Sequence, residues 1–114
     1  MSAEKSIFQK IIDRELPADI LYEDDLVIAI KDINPQAPIH LLIVPKRKIA
    51  KIADTSLADI TLLGHMIGTA RTLMQQQNMD DYRLVFNNGE KAGQTVFHIH
   101  LHVLAGRSFS WPLG

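Results

Sequence analysis

The feature that most constrains this chain is an alternating run near its end, His98-Ile99-His100-Leu101-His102-Val103-Leu104. Side chains alternate between the two faces of a β-strand, so a strand through this run turns its three histidines to one face. Ile99, Leu101 and Val103 then turn to the other face, into a core. Neighbouring imidazoles lie roughly 6.6 Å apart along such a strand. The run predicts a sheet with an apolar face and a chemical site on the opposite face.

Two kinds of site suit this run. A single histidine on an exposed strand is ordinary, but three in strict alternation within an apolar segment favour a function. His-x-His is the spacing at which one strand supplies two ligands to a metal ion, with a third ligand from elsewhere. Without a metal, His100 can attack an electrophilic phosphorus atom and form a covalent intermediate. His98 and His102 can then hold the phosphoryl oxygens or transfer protons.

The neighbouring residues add polar groups to the candidate site. A nucleophilic imidazole needs an acceptor for its second nitrogen, and a backbone carbonyl is more economical for His100 than Glu90, the nearest acid in the sequence. His40 begins an apolar segment, where a polar ring needs a partner. Alone it is typical of a hydrogen-bonded core histidine, but beside the triad it is a candidate fourth member. In Gly93-Gln94-Thr95, glycine lets backbone N–H groups approach a ligand, although a plain hairpin turn also suits these residues.

Composition excludes several classes of protein. A chain of 114 residues with 46% hydrophobic residues predicts one globular domain, residues 1–114, with no membrane span. The absence of cysteine excludes disulfides and thiolate chemistry and fits a reducing compartment. A net charge of −1 with interspersed signs disfavours nucleic acid as a partner and favours a small molecule. The first six residues contain no apolar leader core, so we expect a cytoplasmic protein.

Hydrophobic periodicity predicts an α+β domain with a mostly antiparallel sheet. A short amphipathic helix is predicted at 7–12, and strands are predicted at 20–23, 26–30, 39–44, 82–86 and 96–105. A capping box, Ser56-x-x-Asp59, begins a long helix. Its core-facing stripe is expected to contain Ile60, Leu63, Ile67, Ala70 and Met74. Gly64 and Gly68 on this helix would permit the close approach of another helix.

The chain resembles a known family. The run from His98 to Leu104 fits the pattern His-φ-His-φ-His-φ-φ, with φ hydrophobic, that names the histidine triad (HIT) superfamily. Segments that are similar to its Hint branch, the histidine triad nucleotide-binding proteins, lie at residues 7–12, 22–25, 32–40, 62–65, 82–83, 87–89, 93–94 and 111–114. The resemblance implies a HIT-like fold, in which a five-stranded, mostly antiparallel sheet with one long and one short helix pairs into a ten-stranded sheet in a homodimer.

The same resemblance implies a purine nucleoside phosphoramidase without a cofactor. Such enzymes cleave the P–N bond of adenosine or guanosine 5′-phosphoramidates and related aminoacyl-adenylates. By position, His100 would be the nucleophile, flanked by His98 and His102, with His40 as the fourth member. Asp32 would bind the ribose hydroxyls of the purine nucleotide, AMP or GMP, although a turn-capping role is its local alternative. The other implied nucleotide-binding positions are Phe8, Ile11, Ile30, Ile33, Asn87, Gly93, Gln94 and Thr95.

One departure and three alternatives accompany this hypothesis. Thr95 stands where the pattern more often has serine, and its extra methyl group stiffens χ1 beside the leaving group. The closing Trp111-Pro112 is implied to reach the active site of the partner subunit. A metal site on the triad, a nucleotide-binding scaffold with little turnover, and a dinucleoside polyphosphate hydrolase stay open as alternatives. The short chain and its Trp-Pro ending favour the Hint branch over the polyphosphate hydrolases.

Overall fold

The structure is a computed structural model that describes residues 5–114. Its helices and strands are α1 (Ile7–Ile12), β1 (Ile20–Glu23), β2 (Val27–Lys31), β3 (Ile39–Pro45), α2 (Ile60–Gln76), β4 (Tyr82–Val85) and β5 (Leu101–Ala105). The strands form a five-stranded antiparallel sheet in the order β1-β2-β3-β5-β4. The predicted α+β architecture is confirmed. Most of the segment on which the expectation about a leader rests, residues 1–4, lies outside the described residues.

The central strands of the sheet are apolar on both faces because a helix covers each face. On one face, Val27, Leu41, Ile43, Leu101 and Val103 pack against α2. On the other face, Ile28, Ile30, Leu42 and Val44 pack against Phe8 and Ile11 of α1. His102 is the cross-strand partner of Leu42, and His40 is the partner of Leu104. Both histidines therefore lie on the face that α1 covers.

The histidine strand is shorter than predicted. β5 begins at Leu101, so His98 and His100 precede it, whereas the sequence pattern placed the strand at 96–105. The reason is that the backbone before β5 bonds away from the sheet, since the Ile99 N–H donates to the Ile49 carbonyl oxygen at 2.8 Å. The chain bends there, so the His98 side chain does not continue the row formed by the other two rings.

The long helix has its predicted start but only part of its predicted inward face. Ala70 and Met74 are buried as predicted, and Leu63 packs against the core. The Ser56 hydroxyl accepts from the Ala58 N–H at 3.3 Å, and the Asp59 carboxylate accepts from the Ser56 N–H at 2.9 Å. This capping box begins a short 3-10 turn that leads into α2. Ile60 and Ile67 are 57% and 46% exposed, so their predicted burial is wrong.

α2 has two apolar lines, and the periodicity does not decide which one faces the sheet. The line that packs on the sheet contains Met66, Ala70, Leu73 and Met74. The second line, Ile60-Gly64-Ile67, has the spacing of one helix face and turns outward. No helix in the described part of the chain is long and apolar enough to cross a membrane.

Gly106 holds the end of β5 close to the loop that leads into β3. Its φ of 96° lies in the left-handed region, and a Cβ atom there would lie 2.9 Å from the Cβ of Pro38. Any other residue would meet both backbone strain and a clash. Glycine at this position therefore keeps the Pro38 loop, and with it His40, against β5.

Candidate active site

One cavity of about 360 Å³ brings together most of the site residues predicted from the sequence. It lies beside α1 and the end of β2, and the loop after β4 forms its opposite wall. The predicted residues that line it are Phe8, Ile11, Ile30, Asp32, Ile33, Asn87, Gly93, Thr95, His100 and His102. Ile7, Lys31, Leu42 and Val96 also line it and were not predicted. The apolar residues of α1 give the cavity an apolar end, and the rings of His100 and His102 give it a polar end.

A second cavity of about 580 Å³ adjoins the first one. His40 lines the second cavity and not the first, while Asn87 and His102 line both. These two side chains therefore form the boundary between the cavities. His98 and Gln94 line neither cavity, although both were predicted at the site.

A backbone carbonyl fixes the tautomer of His100. Its Nδ1 lies 2.9 Å from the carbonyl oxygen of His98, and a carbonyl oxygen can only accept a hydrogen bond. Nδ1 therefore carries the proton, and Nε2 holds the free lone pair at the cavity. This confirms the prediction that a carbonyl rather than a carboxylate orients the ring. The Phe8 ring packs against the imidazole with a centroid separation of 4.8 Å.

A chain of hydrogen bonds orients His40 and His102 in the same way. The Gln36 backbone N–H donates to Nδ1 of His40 at 3.0 Å, so the proton of a neutral His40 lies on Nε2. That Nε2–H donates to Nδ1 of His102 across 2.9 Å. His102 must then carry its own proton on Nε2. The two facing rings at the cavity are thus complementary, since His100 presents a lone pair and His102 presents an N–H donor.

Burial keeps these imidazoles uncharged. Burial lowers the pKa of His100, against the opposing effects of its hydrogen bond to the His98 carbonyl and the Asp32 charge. Burial also lowers the pKa of His40, which the Asp32 charge raises in part. For His102, burial and then the neighbouring His100 and His40 lower the pKa to about 4. At neutral pH the rings are therefore neutral, as the hydrogen-bond directions require.

His98 lies beneath the site rather than on its surface. Its ring is 0% exposed, Nε2 donates to the Pro45 carbonyl oxygen at 2.8 Å, and Nδ1 accepts from the Ser6 hydroxyl at 3.0 Å. Both ring nitrogens are used inside the protein, so the ring has no group left for a ligand. Its carbonyl oxygen is the one that holds His100, and this makes His98 a positioning residue.

Ser6 is a functional contact that the sequence analysis missed. Its hydroxyl accepts from the Gln9 N–H at 3.0 Å as the N-cap of α1, and it also donates to His98. A serine directly before an amphipathic helix is an N-cap signal, and this signal was available in the sequence. The contact with His98 was not, because 92 residues separate the two side chains.

Gln94 shapes the loop between β4 and β5 from inside. Its side chain is 1% exposed. The amide oxygen accepts from the Gly89 N–H at 2.8 Å, and the amide nitrogen donates to the carbonyl oxygens of Ala50 and Val96 at 2.7 and 3.0 Å. The loop so held presents Gly93 to the cavity, with a φ of 100° that favours glycine.

Asp32 has one oxygen in a turn and the other near a histidine. Oδ1 accepts from the Asn34 N–H at 2.8 Å, which is the turn-capping contact considered as its alternative role. Oδ2 lies 3.4 Å from Nε2 of His40. The turn uses only Oδ1, so Oδ2 stays available to a ligand in the first cavity, which Asp32 lines.

Comparison with known proteins identifies the family. The family model described as "Scavenger mRNA decapping enzyme C-term binding" matches residues 5–110. A solved HIT family hydrolase from Legionella pneumophila Philadelphia 1 has a TM-score of 0.94 and 46% identity, over 96% of this chain and 100% of its own. The chain belongs to the histidine triad (HIT) family.

Some of the HIT relatives carry functional names. The purine nucleoside phosphoramidase of Escherichia coli strain K12 is 48% identical over 114 residues, 98% of this chain and 92% of the relative. A 14 kDa zinc-binding protein of Zea mays is 44% identical over 112 residues, 96% of this chain and 88% of the relative. The family matches support hydrolase activity as the general function of this HIT chain.

The described residues contain a group that could hold a metal ion. Asp32, His40 and His102 have ligand atoms within 4.8 Å of one another, a donor set that suits zinc. A neutral imidazole has one free lone pair, and His40 already uses that of Nδ1 to accept from the Gln36 N–H. Its Nε2 therefore carries a proton where a metal would need a lone pair. The geometry disfavours a metal at this cluster.

The buried neutral histidines predict a loss of stability in weak acid. The pKa of His40, His98, His100 and His102 is lowered from 6.5 in the folded chain, with burial the first cause for each. The unfolded chain then binds more protons as the pH falls through 6.5, so the free energy of unfolding decreases from there towards about pH 4.

Urea unfolding at pH 7.5, 6.5, 5.5 and 5 measures this effect. The acidic side chains whose pKa is lowered in the folded chain have ordinary pKa values of 3.8 or 4.5. Most of the stability that they contribute is therefore lost below pH 5, outside the range of this measurement. The variant His98→Asn removes one of the four groups and should reduce the slope of stability against pH. A free energy that stays constant from pH 7.5 to 5 would contradict the prediction.

Proposed function

We propose that this HIT protein is a purine nucleoside phosphoramidase, which hydrolyses the P–N bond of adenosine or guanosine 5′-phosphoramidates and of related aminoacyl-adenylates. The observation that carries the proposal is the His100 ring, whose Nδ1 bonds to the His98 carbonyl at 2.9 Å and whose Nε2 lone pair borders the cavity. A cavity of about 360 Å³ suits a small ligand. The 48% identity to the Escherichia coli phosphoramidase supports the same reaction.

In the first step, Nε2 of His100 attacks phosphorus and the P–N bond breaks. The departing nitrogen takes a proton from a water molecule, and the amine leaves. The Nε2–H of His102 donates to a phosphoryl oxygen, where negative charge must be stabilised. In the second step, the hydroxide so formed attacks phosphorus, and the nucleoside monophosphate is released. His100 returns with its proton still on Nδ1.

The nucleoside is proposed to lie along the first cavity. Ile33 is 93% exposed at its edge, and with Phe8 and Ile11 it offers apolar surface for the purine. Oδ2 of Asp32 is a charged acceptor for the ribose hydroxyls. Asn87 and Thr95 line the cavity on the side of the loop between β4 and β5, and we expect them to contact the phosphate. His98 and Gln94 contribute by holding His100 and this loop in position.

Removal of His100 should separate turnover from binding. Metal-free protein should release AMP from adenosine 5′-phosphoramidate, and His100→Ala should lower kcat by more than about a thousandfold because the nucleophile is gone. AMP affinity, measured by calorimetry, should persist in the variant. His65→Ala is the control, since His65 bonds to Asp24 outside the cavity and its loss should leave kcat unchanged.

The other outcomes of this assay point to the alternatives. Binding of AMP without turnover by the wild type would favour the nucleotide-binding scaffold. Faster hydrolysis of diadenosine polyphosphates than of the phosphoramidate would favour the dinucleoside polyphosphate hydrolase. Turnover that disappears with a chelator and returns with zinc would favour the metal site.

The Asp32→Asn substitution should weaken nucleotide binding without disturbing the turn. Asparagine keeps an oxygen for the Asn34 N–H but loses the charge, so AMP binding should weaken by about 1.5–3 kcal/mol. AMP and 2′,3′-dideoxy-AMP are compared by calorimetry with both proteins. The dideoxy nucleotide should bind the two proteins equally, because it lacks the hydroxyls. An equal loss for both nucleotides would assign the effect to the turn instead.

We propose that the protein is a homodimer in which two β4 strands meet. β4 is an edge strand with regular pairing to β5, whereas the other edge, β1, carries a register shift between Ile20 and Tyr22 that hinders further pairing. The outward line of α2 exposes Ile60 and Ile67 on the described chain. A Cβ atom at Gly64 or Gly68 would meet nothing within 4 Å. A second copy that covers both surfaces would give a ten-stranded sheet.

A charge on the outward line of α2 should dissociate this dimer. Sedimentation of the wild type should give twice the chain mass of 12.8 kDa, and Ile67→Glu should give one chain mass because its carboxylate would be buried unpaired. Leu26→Glu is the matched control, since Leu26 is also 46% exposed but lies between β1 and β2. A monomeric wild type would refute the dimer.

A further inference from the structure

The second cavity lies where a leaving group would depart. Phosphoryl transfer places the attacking and departing atoms roughly in line on opposite sides of phosphorus. His100 lines the first cavity and not the second, while His102 and Asn87 line both. A phosphorus atom held beside His102 and attacked by His100 therefore directs its departing nitrogen towards the second cavity.

Two arginines stand at this second cavity on the same aromatic ring. Arg83 comes from β4 and Arg107 from the segment after β5, and both line the cavity. Their guanidinium carbons lie 4.7 and 4.2 Å from the centroid of the Phe109 ring. This cation–π packing fixes both positive charges on one aromatic ring at the cavity, where they would attract an anionic ligand.

The contacts of these arginines leave their charge uncompensated. Arg107 donates from Nε to the Gln36 carbonyl oxygen and from Nη1 to that of Ser108, each at 2.9 Å. Arg83 donates from Nη2 to the Ser110 carbonyl oxygen at 3.3 Å. These acceptors are neutral, and within residues 5–114 neither arginine forms an ion pair with a carboxylate side chain.

The rest of the lining consists of apolar and neutral polar residues and includes no acidic side chain. Leu84, Val85, Leu104 and Leu113 border the cavity together with Phe109. By contrast, the first cavity contains the carboxylate of Asp32. The second cavity thus combines apolar surface with two guanidinium groups, and guanidinium groups bind carboxylates through charge-assisted hydrogen bonds.

We propose that the second cavity binds the departing amine and that Arg83 and Arg107 select amines that carry a carboxylate. The preferred substrates are then nucleoside 5′-phosphoramidates of amino acids, in which the α-amine is bonded to phosphorus and the α-carboxylate is free. This inference rests on the proposed phosphoramidase function. Arg83 and Arg107 are the specificity-determining residues, and Phe109 is the positioning residue on which both of them pack.

A matched pair of substrates tests the proposal. The adenosine 5′-phosphoramidates of phenylalanine and of phenethylamine differ only in the carboxylate. The wild type should have the higher kcat/KM with the phenylalanine compound. Arg83→Gln should lower the ratio of kcat/KM for the phenylalanine compound to kcat/KM for the phenethylamine compound by about tenfold or more, which is the scale of a lost hydrogen bond to a charged group. Arg83→Lys keeps a charge and should retain part of the ratio. Lys10→Gln removes an exposed charge outside both cavities and should leave both values at those of the wild type.

The outcomes separate this inference from the function on which it rests. No turnover of either compound by the wild type would refute the phosphoramidase function itself. Turnover of both compounds without a preference for the carboxylate would overturn the inference alone. So would a ratio that Arg83→Gln leaves unchanged because both values fall equally, since that result indicates a structural role for Arg83. A ratio in the wild type that falls towards one with added salt supports the electrostatic origin of the preference.

Discussion

The pairing of β5 with β3 is the constraint on which the site depends. Its register sets His102 opposite Leu42 and His40 opposite Leu104, so both rings lie on the face that α1 covers. The pairing also ends at Leu101, and the backbone before it bends away. This bend brings the His98 carbonyl oxygen to Nδ1 of His100. A register slip of one residue would turn His102 to the α2 face and remove the site.

Backbone groups, rather than carboxylates, decide where the protons lie. The Gln36 N–H can only donate and the His98 carbonyl oxygen can only accept, so neither bond can reverse its direction. One ring at the cavity is therefore left with a lone pair and the other with a donor. The same arrangement explains why His40 is poorly prepared to hold a metal. This arrangement of protons also requires neutral rings, and burial provides that because it lowers the pKa of His40, His100 and His102.

The alternation of residues 98–104 was sufficient to predict which sheet face carries the site. The need of a nucleophilic imidazole for an acceptor predicted that a backbone carbonyl orients His100, and the other cavity residues were implied by the resemblance to the HIT family. The alternation could not predict the depth of each ring, because it describes a regular strand and the strand stops at Leu101. His98 and Gln94 are polar residues whose partners lie far away in sequence, so their burial depends on tertiary contacts. The inward face of α2 was ambiguous for a related reason, since Ile67 and Met66 belong to two apolar lines of similar quality. Arg83 and Arg107 both pack on the Phe109 ring and so connect β4 to the segment after β5. No local sequence pattern predicts this contact.

The Ser6 hydroxyl has a consequence for motion. It caps α1 through the Gln9 N–H and holds the His98 ring, and α1 carries the Phe8 and Ile11 walls of the cavity. Fraying of the first turn of this six-residue helix would therefore release the wall and the anchor of the triad in one event. Hydrogen exchange at the Gln9 amide reports on that opening. The proposed contact between a nucleoside and Phe8 would then slow this exchange and couple ligand binding to the order of the N-terminal turn.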